Sequence, residues 1–295
     1  MTWKILITGA TGCLGHEIMR RLHHREVEFV AACRQERTFP DDIKLLTIDY
    51  AEPASLEQAF RDVDVLFLLI PFSESMVSHA ANAIGAARRA GVQLIVRSSI
   101  VGADANSPYL FLRSEGEIND LLLSSGVPSV LVQGQSFMQN FERHYGSALE
   151  HGALFLPEGE GRTAFLDAGD MACVIAEILV NPFTHLGKVY SITGRRALSN
   201  AEALAILSLH ARKRISYVPI TVEAARKAMM KNHASDWWID FMMSRHQAVR
   251  EGATAEVTKT FKDLMKREPR TFEDFSEEIG MSYAPKSSAA DLNLR

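Results

Sequence analysis

Lys4-Ile-Leu-Ile-Thr-Gly9-Ala-Thr-Gly12-Cys-Leu-Gly15 decides the fold: a short apolar run, three glycines spaced GxxGxxG, then the helical pattern Leu14–His24. Gly9 lets the chain turn sharply out of a strand, Gly12 offers backbone without a Cβ, and Gly15 allows close helix–strand packing. The free N–H groups of the helix's first turn, reinforced by its dipole, then face an anion such as a diphosphate. Glycine spacing alone is a weak signal. Here the strand before and the helix after supply the context that a dinucleotide-binding turn requires. The competing reading is an ordinary glycine turn with no ligand. On the binding reading, Gly9, Ala10, Thr11, Gly12, Cys13 and Leu14 contact the cofactor.

Downstream, short apolar runs alternate with amphipathic segments. Strands are expected at Lys4–Thr8, Val27–Cys33, Lys44–Ile48, Val63–Ile70, Val92–Ser98 and Ser129–Gln133. Most are unbroken apolar runs, as befits strands covered on both faces. Helices are expected at Leu14–His24, Ser55–Arg61, Ser75–Ala90 and Ser114–Ser124, with Gly91 and Gly126 placed to end two of them. The class is therefore α/β, a Rossmann doubly wound parallel sheet with helices on both sides. After about Asn140 the rhythm changes, through a helix at Phe141–Glu150, a turn-rich stretch Pro157–Arg162, then Phe165–Val180, Val189–Ile192 and a helix from Asn200. We expect residues 1–140 to form the NAD(P)-binding domain and 141–284 a smaller α/β C-terminal substrate domain interleaved with it, with 285–295 a frayed polar tail.

The bulk numbers remove other classes. With 295 residues, 47% of them hydrophobic, the chain can bury a large core. A formal net charge of −4 and the lack of a basic stripe argue against nucleic acid as a partner. The three cysteines have no CxxC spacing, so a disulfide framework is not expected and a reducing, cytoplasmic setting is the simplest reading. No apolar stretch approaches membrane-spanning length, and the start lacks the pattern of a signal peptide. Histidines without HExxH spacing give no metal site, and Ser98-Ser99 lacks a GxSxG elbow.

The end of the second strand reads the adenosine ribose in dinucleotide sites, where NAD-preferring proteins offer a carboxylate. This chain has Ala32-Cys33-Arg34-Gln35-Glu36-Arg37. Arg34 can pair with a 2′-phosphate, which favours NADP, whereas Glu36 could serve NAD if the strand ran further. A solvated surface arginine is the plain alternative.

Other segments carry a family resemblance. They are Asp49-Tyr50, Leu69-Ile70-Pro71, Ser98-Ser99, Ser125-Gly-Val-Pro128, Gly134-Gln-Ser-Phe-Met-Gln-Asn140, Gly159-Glu-Gly161 with Phe165-Leu-Asp167-Ala-Gly-Asp170, and Arg270-Thr-Phe-Glu-Asp-Phe275. Together with the glycine turn they resemble the NmrA-like branch of the atypical short-chain dehydrogenase/reductases, over almost the whole chain. The resemblance implies a Rossmann domain with a small substrate domain. Its members include azo-dye, triphenylmethane and quinone reductases, iminium-reducing enzymes, and nitrogen-regulatory proteins that bind the nucleotide without known turnover. It also implies that Asp49 and Tyr50 lie near adenine and that Leu69, Ile70 and Pro71 pass over the adenosine ribose. Ser98 and the stretch Gly134–Phe137 would approach the nicotinamide. For Asp49 a bland alternative stands equally, a cap of the helix that opens near Pro53.

Ordinary short-chain dehydrogenases use a Tyr-x-x-x-Lys pair for proton transfer. The nearest match is Tyr109-Leu-Phe-Leu-Arg113, and Arg cannot shuttle a proton as Lys can. Tyr109 packing at a helix start is the simpler reading, while Arg113 could still contact a ribose hydroxyl or steady negative charge. Asp167 or Asp170 is expected to cap a helix from Met171 rather than form a carboxylate pair for catalysis. The segment Met229–Met243, with Trp237 and Trp238, reads either as core or dimer face or as an adaptable wall for a flat substrate. On the latter reading the substrate, an aromatic or conjugated small molecule, meets Phe72, Ser99, Phe137, Met138, Trp237 and Trp238.

Two functions compete. One is an NAD(P)H-dependent reductase passing hydride to a small conjugated or cationic acceptor (quinone, azo, iminium or dye-like), where the cofactor carries the chemistry. The other is an NAD(P)-sensing regulator acting through a protein partner, motivated by the missing Tyr/Lys pair.

Overall fold

The computed structural model describes residues 3–34 and 43–284. Glu36, weighed above for the ribose, and the tail 285–295 lie outside the described residues. The first half runs β1 (Ile5–Thr8), α1 (Cys13–His24), β2 (Phe29–Cys33), β3 (Leu45–Thr47), α2 (Pro53–Phe60), β4 (Val65–Leu68), α3 (Met76–Ala90), β5 (Leu94–Ile100), α4 (Leu110–Ser124) and β6 (Ser129–Gly134). Every strand and helix expected in this half is present, with ends shifted by up to four residues. The largest shift is in α4, which opens at Leu110 rather than Ser114. Gly91, in the left-handed region at φ +77°, ends α3.

The second half contributes α5 (Asn140–Arg143), α6 (Gly146–Glu150), β7 (Ala153–Leu156), β8 (Arg162–Thr163), α7 (Ala168–Val180), β9 (Val189–Ile192), β10 (Leu198–Ser199), α8 (Asn200–His210) and β11 (Ser216–Pro219). It closes with α9 (Val222–Lys231), α10 (Asp236–Arg250), α11 (Thr260–Met265) and α12 (Phe272–Gly280). The helix expected at Phe141–Glu150 is broken in two. The Asn140 carbonyl accepts from both His144 N and Tyr145 N, which widens the turn before Gly146 restarts the helix.

The main sheet is parallel throughout, in the order β3-β2-β1-β4-β5-β6-β9. Successive strand residues point to opposite faces, so a sheet covered twice needs apolar residues at both. Leu6, Leu66, Leu68, Ile95 and Leu131 pack toward α2, α3 and α4. Ile5, Ile7, Val65, Phe67, Val96 and Val130 pack toward α1 and α7. The chain leaves β3 for β4 across β1, which creates a topological switch point between β1 and β4, and ligands of such sheets bind outside the strands' carboxyl ends there.

A third core around Phe141, Phe165, Phe272 and Phe275 holds the second half together. Asp167 caps α7 by accepting from Gly169 N and Asp170 N, so that helix opens at Ala168 rather than Met171. Asp167 also accepts from Gln139 and Arg270, and Asp170 accepts from Arg267 and from Arg270 N. This clamp fastens the Arg270–Phe275 segment to the start of α7 and occupies both carboxylates structurally.

Candidate active site

The glycine turn is built as an open cradle. Gly9 adopts φ +67°, and Gly12 N donates to Gly9 O at 2.9 Å, closing a tight turn at the end of β1. A Cβ on Gly15 would stand 2.3 Å from Gly9 O, so only glycine lets α1 start this close to the strand. Gly12 caps α1 with no side-chain bond, no acidic residue occupies the first turn, and Thr11 and Gly12 are exposed. Among the described residues the first-turn N–H groups are thus free of side-chain acceptors. Those features fit a diphosphate.

Thr8 fixes the neighbouring strand end. Its Oγ1 accepts from Leu69 N at 2.9 Å and donates to Phe67 O at 3.0 Å, locking the end of β4 to that of β1. Leu69 then closes against Gly9, whose added Cβ would meet Leu69 Cδ2 at 3.2 Å. The Tyr50 hydroxyl donates to Leu69 O at 3.0 Å. Tyr50 itself is buried, with its phenol pushed up to about 12 by burial, moderated by Thr8 and the positive charge of Arg34. Its ring is therefore core, and its contribution to the site is to hold Leu69 in place. Asp49 does not cap α2: its Oδ1 accepts from Ala51 N at 2.9 Å, forming a local turn, and Glu52 occupies the cap position. Arg34 is exposed at the end of β2, within electrostatic reach of Tyr50. Ile70 is buried and Pro71 half-buried beside it.

At the other end, Phe72 follows β4 with 47% of its surface exposed and leans on Phe241 at 5.1 Å. Trp237 and Trp238 stack on the same ring at 4.9 and 5.7 Å. Helix α10 thus brings three of the expected substrate residues, Phe72, Trp237 and Trp238, into one aromatic group. Its centre is Phe241. Ser98 and Ser99 lie on β5, and Ser99 Oγ is buried without a partner. Gly134 ends β6, and Gln135 Nε2 just beyond is likewise buried and unpartnered among the described residues. Orphan polar atoms of this kind, at the carboxyl ends of strands, fit a ligand with hydrogen-bonding groups. Phe137 is half-buried and bridges to Leu166, whereas Met138 belongs to the third core and lines a separate cavity with Phe165 and Arg195.

Tyr109 and Arg113 turn to different partners. Tyr109 donates to Glu251 across α10, and that bond raises its pKa. Arg113 Nη1 donates to Ser107 O at 2.9 Å, spending its charge on its own loop.

The NmrA-like family profile matches residues 1–276. The chain belongs to the NmrA-like family. It is 32% identical to the NAD(P)H azoreductase of Xenophilus azovorans over 277 residues, covering 92% of this chain and 96% of that one. It is 28% identical to quinone oxidoreductase 2 of Escherichia coli, covering 88% and 93% of the two. The crystal structure of the Escherichia coli NADPH-dependent quinone oxidoreductase complexed with NADPH superposes with a TM-score of 0.81 at 25% identity, covering 93% and 99%.

In this NmrA-like protein a further polar group lies beyond sequence reasoning. Glu158, buried in the turn after β7, accepts from Arg245 Nη1 at 3.0 Å, meets His246 Nδ1 at 2.7 Å and accepts from Asn200 Nδ2 at 2.6 Å. Burial alone would raise its pKa, but Arg245, His246 and Asn200 outweigh that and hold the carboxyl at about 2. Arg245 also donates to Ser136 Oγ at 3.3 Å and lies within electrostatic reach of the Tyr145 hydroxyl. These residues are up to about a hundred positions apart, and no local pattern announces them. The available signal is Arg245 lying on the α10 face of Trp238 and Phe241, spaced three and four residues apart.

Proposed function

We infer that this chain is an NAD(P)H-dependent oxidoreductase, and we propose that it passes hydride to a small conjugated acceptor of the quinone or azo type. The observation that carries the reading is the coexistence, at the carboxyl edge of one sheet, of an open anion-binding turn at Gly9–Gly15 and the aromatic group Phe72–Phe241–Trp237–Trp238. The turn supplies the diphosphate site and the exposed face of Phe72 a surface for a flat ring. Arg34, at the end of β2, favours NADP over NAD by pairing with a 2′-phosphate. When bound, the cofactor supplies the hydride, and the protein's own part is to position the acceptor. Names of relatives agree with this reading, being an azoreductase and a quinone oxidoreductase.

The regulator reading rested on the missing Tyr/Lys pair. An electron-poor acceptor does not require that pair, so its absence is compatible with turnover. Purified protein with NADPH and a panel of quinones, azo dyes and iminium compounds tests the proposal through loss of NADPH absorbance. Acceptor-dependent oxidation is expected, and tight cofactor binding with no oxidation by any acceptor would refute it.

A further inference from the structure

We propose that Arg245, with the Tyr145 hydroxyl near it, binds the acceptor oxygen or nitrogen that takes up negative charge as the acceptor is reduced. This rests on the reductase reading above and narrows its substrate class to neutral or anionic acceptors, excluding cationic dyes and iminium ions.

The placement comes first. A dinucleotide on a doubly wound sheet starts at the β1 turn and has its adenosine read at the end of β2, so its reacting end lies over β4, β5 and β6. Helix α10 runs across those ends. Phe241 meets Phe72 after β4, Ser244 Oγ accepts from Phe111 N at 3.1 Å on α4, and Arg245 reaches Ser136 after β6. Arg245 is thus set beside the aromatic group that would hold a flat ring.

The guanidinium is also held and not exhausted. Glu158 binds it from one side and is itself saturated by His246 and Asn200, so the ion pair is fixed rather than mobile. Glu158 is a positioning residue here. Of five N–H donors on the guanidinium, the hydrogen-bonded partners among the described residues are Glu158 and Ser136, and 19% of the side chain remains accessible. Tyr145 is pushed up by burial against the opposing pull of Arg245, so it stays a phenol and a donor.

An independent observation points to a ligand at the same strand ends. Gln135, adjacent to Ser136, is buried, and among the described residues its Nε2 has no hydrogen-bond partner, nor has the buried Ser99 Oγ on β5. Arg245 and Gln135 Nε2 can only donate, and the Tyr145 phenol and the Ser99 hydroxyl can do so as well. Donors in excess call for a ligand with hydrogen-bond-accepting lone pairs, and a preorganised set of them stabilises negative charge as it develops. A cationic acceptor would instead meet a like charge and would bring no lone pair.

The test uses the protein saturated with oxidised cofactor and 4-nitrophenol as an oxyanion probe, followed by phenolate absorbance against pH. The wild type should lower the apparent pKa of bound nitrophenol, favouring the phenolate at least tenfold. Arg245→Met should abolish that shift and Tyr145→Phe weaken it, while Arg245→Lys restores part of it. No shift in the wild type, or an equal shift in Arg245→Met with unchanged melting temperature, overturns the proposal. If Arg245→Met does not fold, Tyr145→Phe and Arg245→Lys decide between the same outcomes. In a parallel assay, kcat/KM for a benzoquinone should exceed that for a cationic triphenylmethane dye tenfold or more, and Arg245→Met should narrow the gap. A wild type that prefers the cationic dye contradicts this proposal but leaves the reductase reading intact. A wild type that oxidises NADPH with no acceptor of the full panel removes the reductase reading, while a nitrophenol shift lost in Arg245→Met still shows that Arg245 binds an oxyanion.

Discussion

Gly15 lies directly beneath Gly9: a Cβ placed on it would stand 2.3 Å from the Gly9 carbonyl oxygen and 3.0 Å from Ala10 Cα. The cradle and the packing of α1 are therefore one feature, and neither can be altered alone. Gly15→Ala must push α1 off the end of β1. We expect it to cost about 1–3 kcal/mol, the usual range for overpacking, and to weaken NADPH binding at the same time. Urea unfolding and a fluorescence titration check both, and a variant that keeps full stability and affinity would contradict the geometry.

Tyr109→Phe should leave kcat within about twofold. Its hydroxyl is committed to Glu251, which raises its pKa and makes it a poorer proton donor. Removal of a working general acid ordinarily costs about 10²–10⁴ in rate, so a loss on that scale would return Tyr109 to the mechanism.

Much of this was readable from the chain because it is local. The β1 turn, the alternating elements and the all-apolar strands follow from residues within one window of each other. Arg34 at the end of β2 is legible for the same reason. What escaped is set by contacts between distant segments. The Tyr50 ring is buried and its hydroxyl finds the Leu69 carbonyl nineteen positions on, a contact outside any local window. Arg245 and Glu158 are 87 positions apart and meet only once α10 lies across the sheet. The break at Tyr145 arises because the Asn140 carbonyl takes two donors, which no amphipathic pattern encodes.

Arg34→Ser should raise the Kd for NADPH about tenfold or more and leave NADH nearly unchanged. A charge-assisted hydrogen bond to a phosphate contributes about 1.5–3 kcal/mol, and NADH has no phosphate at that position. Parallel titrations with the two nucleotides measure it, and an equal loss for both would assign Arg34 to something other than the 2′-phosphate.

Glu158 gives the fold an acid-sensitive point. Its carboxyl sits at about 2 in the folded chain against an ordinary 4.5: burial works against the charge, and Arg245, His246 and Asn200 outweigh it. Because the folded state binds this proton less readily than the unfolded state, the stabilisation is complete above about pH 4.5. It fades as pH falls and is gone below about 2. Its size is of order 3 kcal/mol at neutral pH. The difference in unfolding free energy between wild type and Glu158→Gln should shrink across that window, and a difference independent of pH would argue against the ion cluster.

Arg97 is the largest fully buried side chain, paired with Glu115 Oε2 at 2.7 Å and bonded to Asn119. Glu115→Leu alone strands a buried guanidinium and should cost about 3–5 kcal/mol. Arg97→Met combined with Glu115→Leu should recover most of that loss, since well-packed apolar residues often replace a buried pair at little cost. Chemical denaturation of the single and double variants compares them, and a double variant as unstable as the single one would contradict this.

The most direct measurement is calorimetric titration of NADPH into the wild type and into Gly12→Val. Gly12 has an ordinary φ of −82° and an exposed position, and a Cβ there would stand 3.2 Å from Gly9 O, so the side chain fills the approach to the first-turn N–H groups and the melting temperature of the variant is measured alongside. Saturable binding of one NADPH per chain to the wild type, and its loss in a normally melting Gly12→Val, is the expected result. No heat of binding with the wild type, or undiminished affinity in the variant, would contradict it.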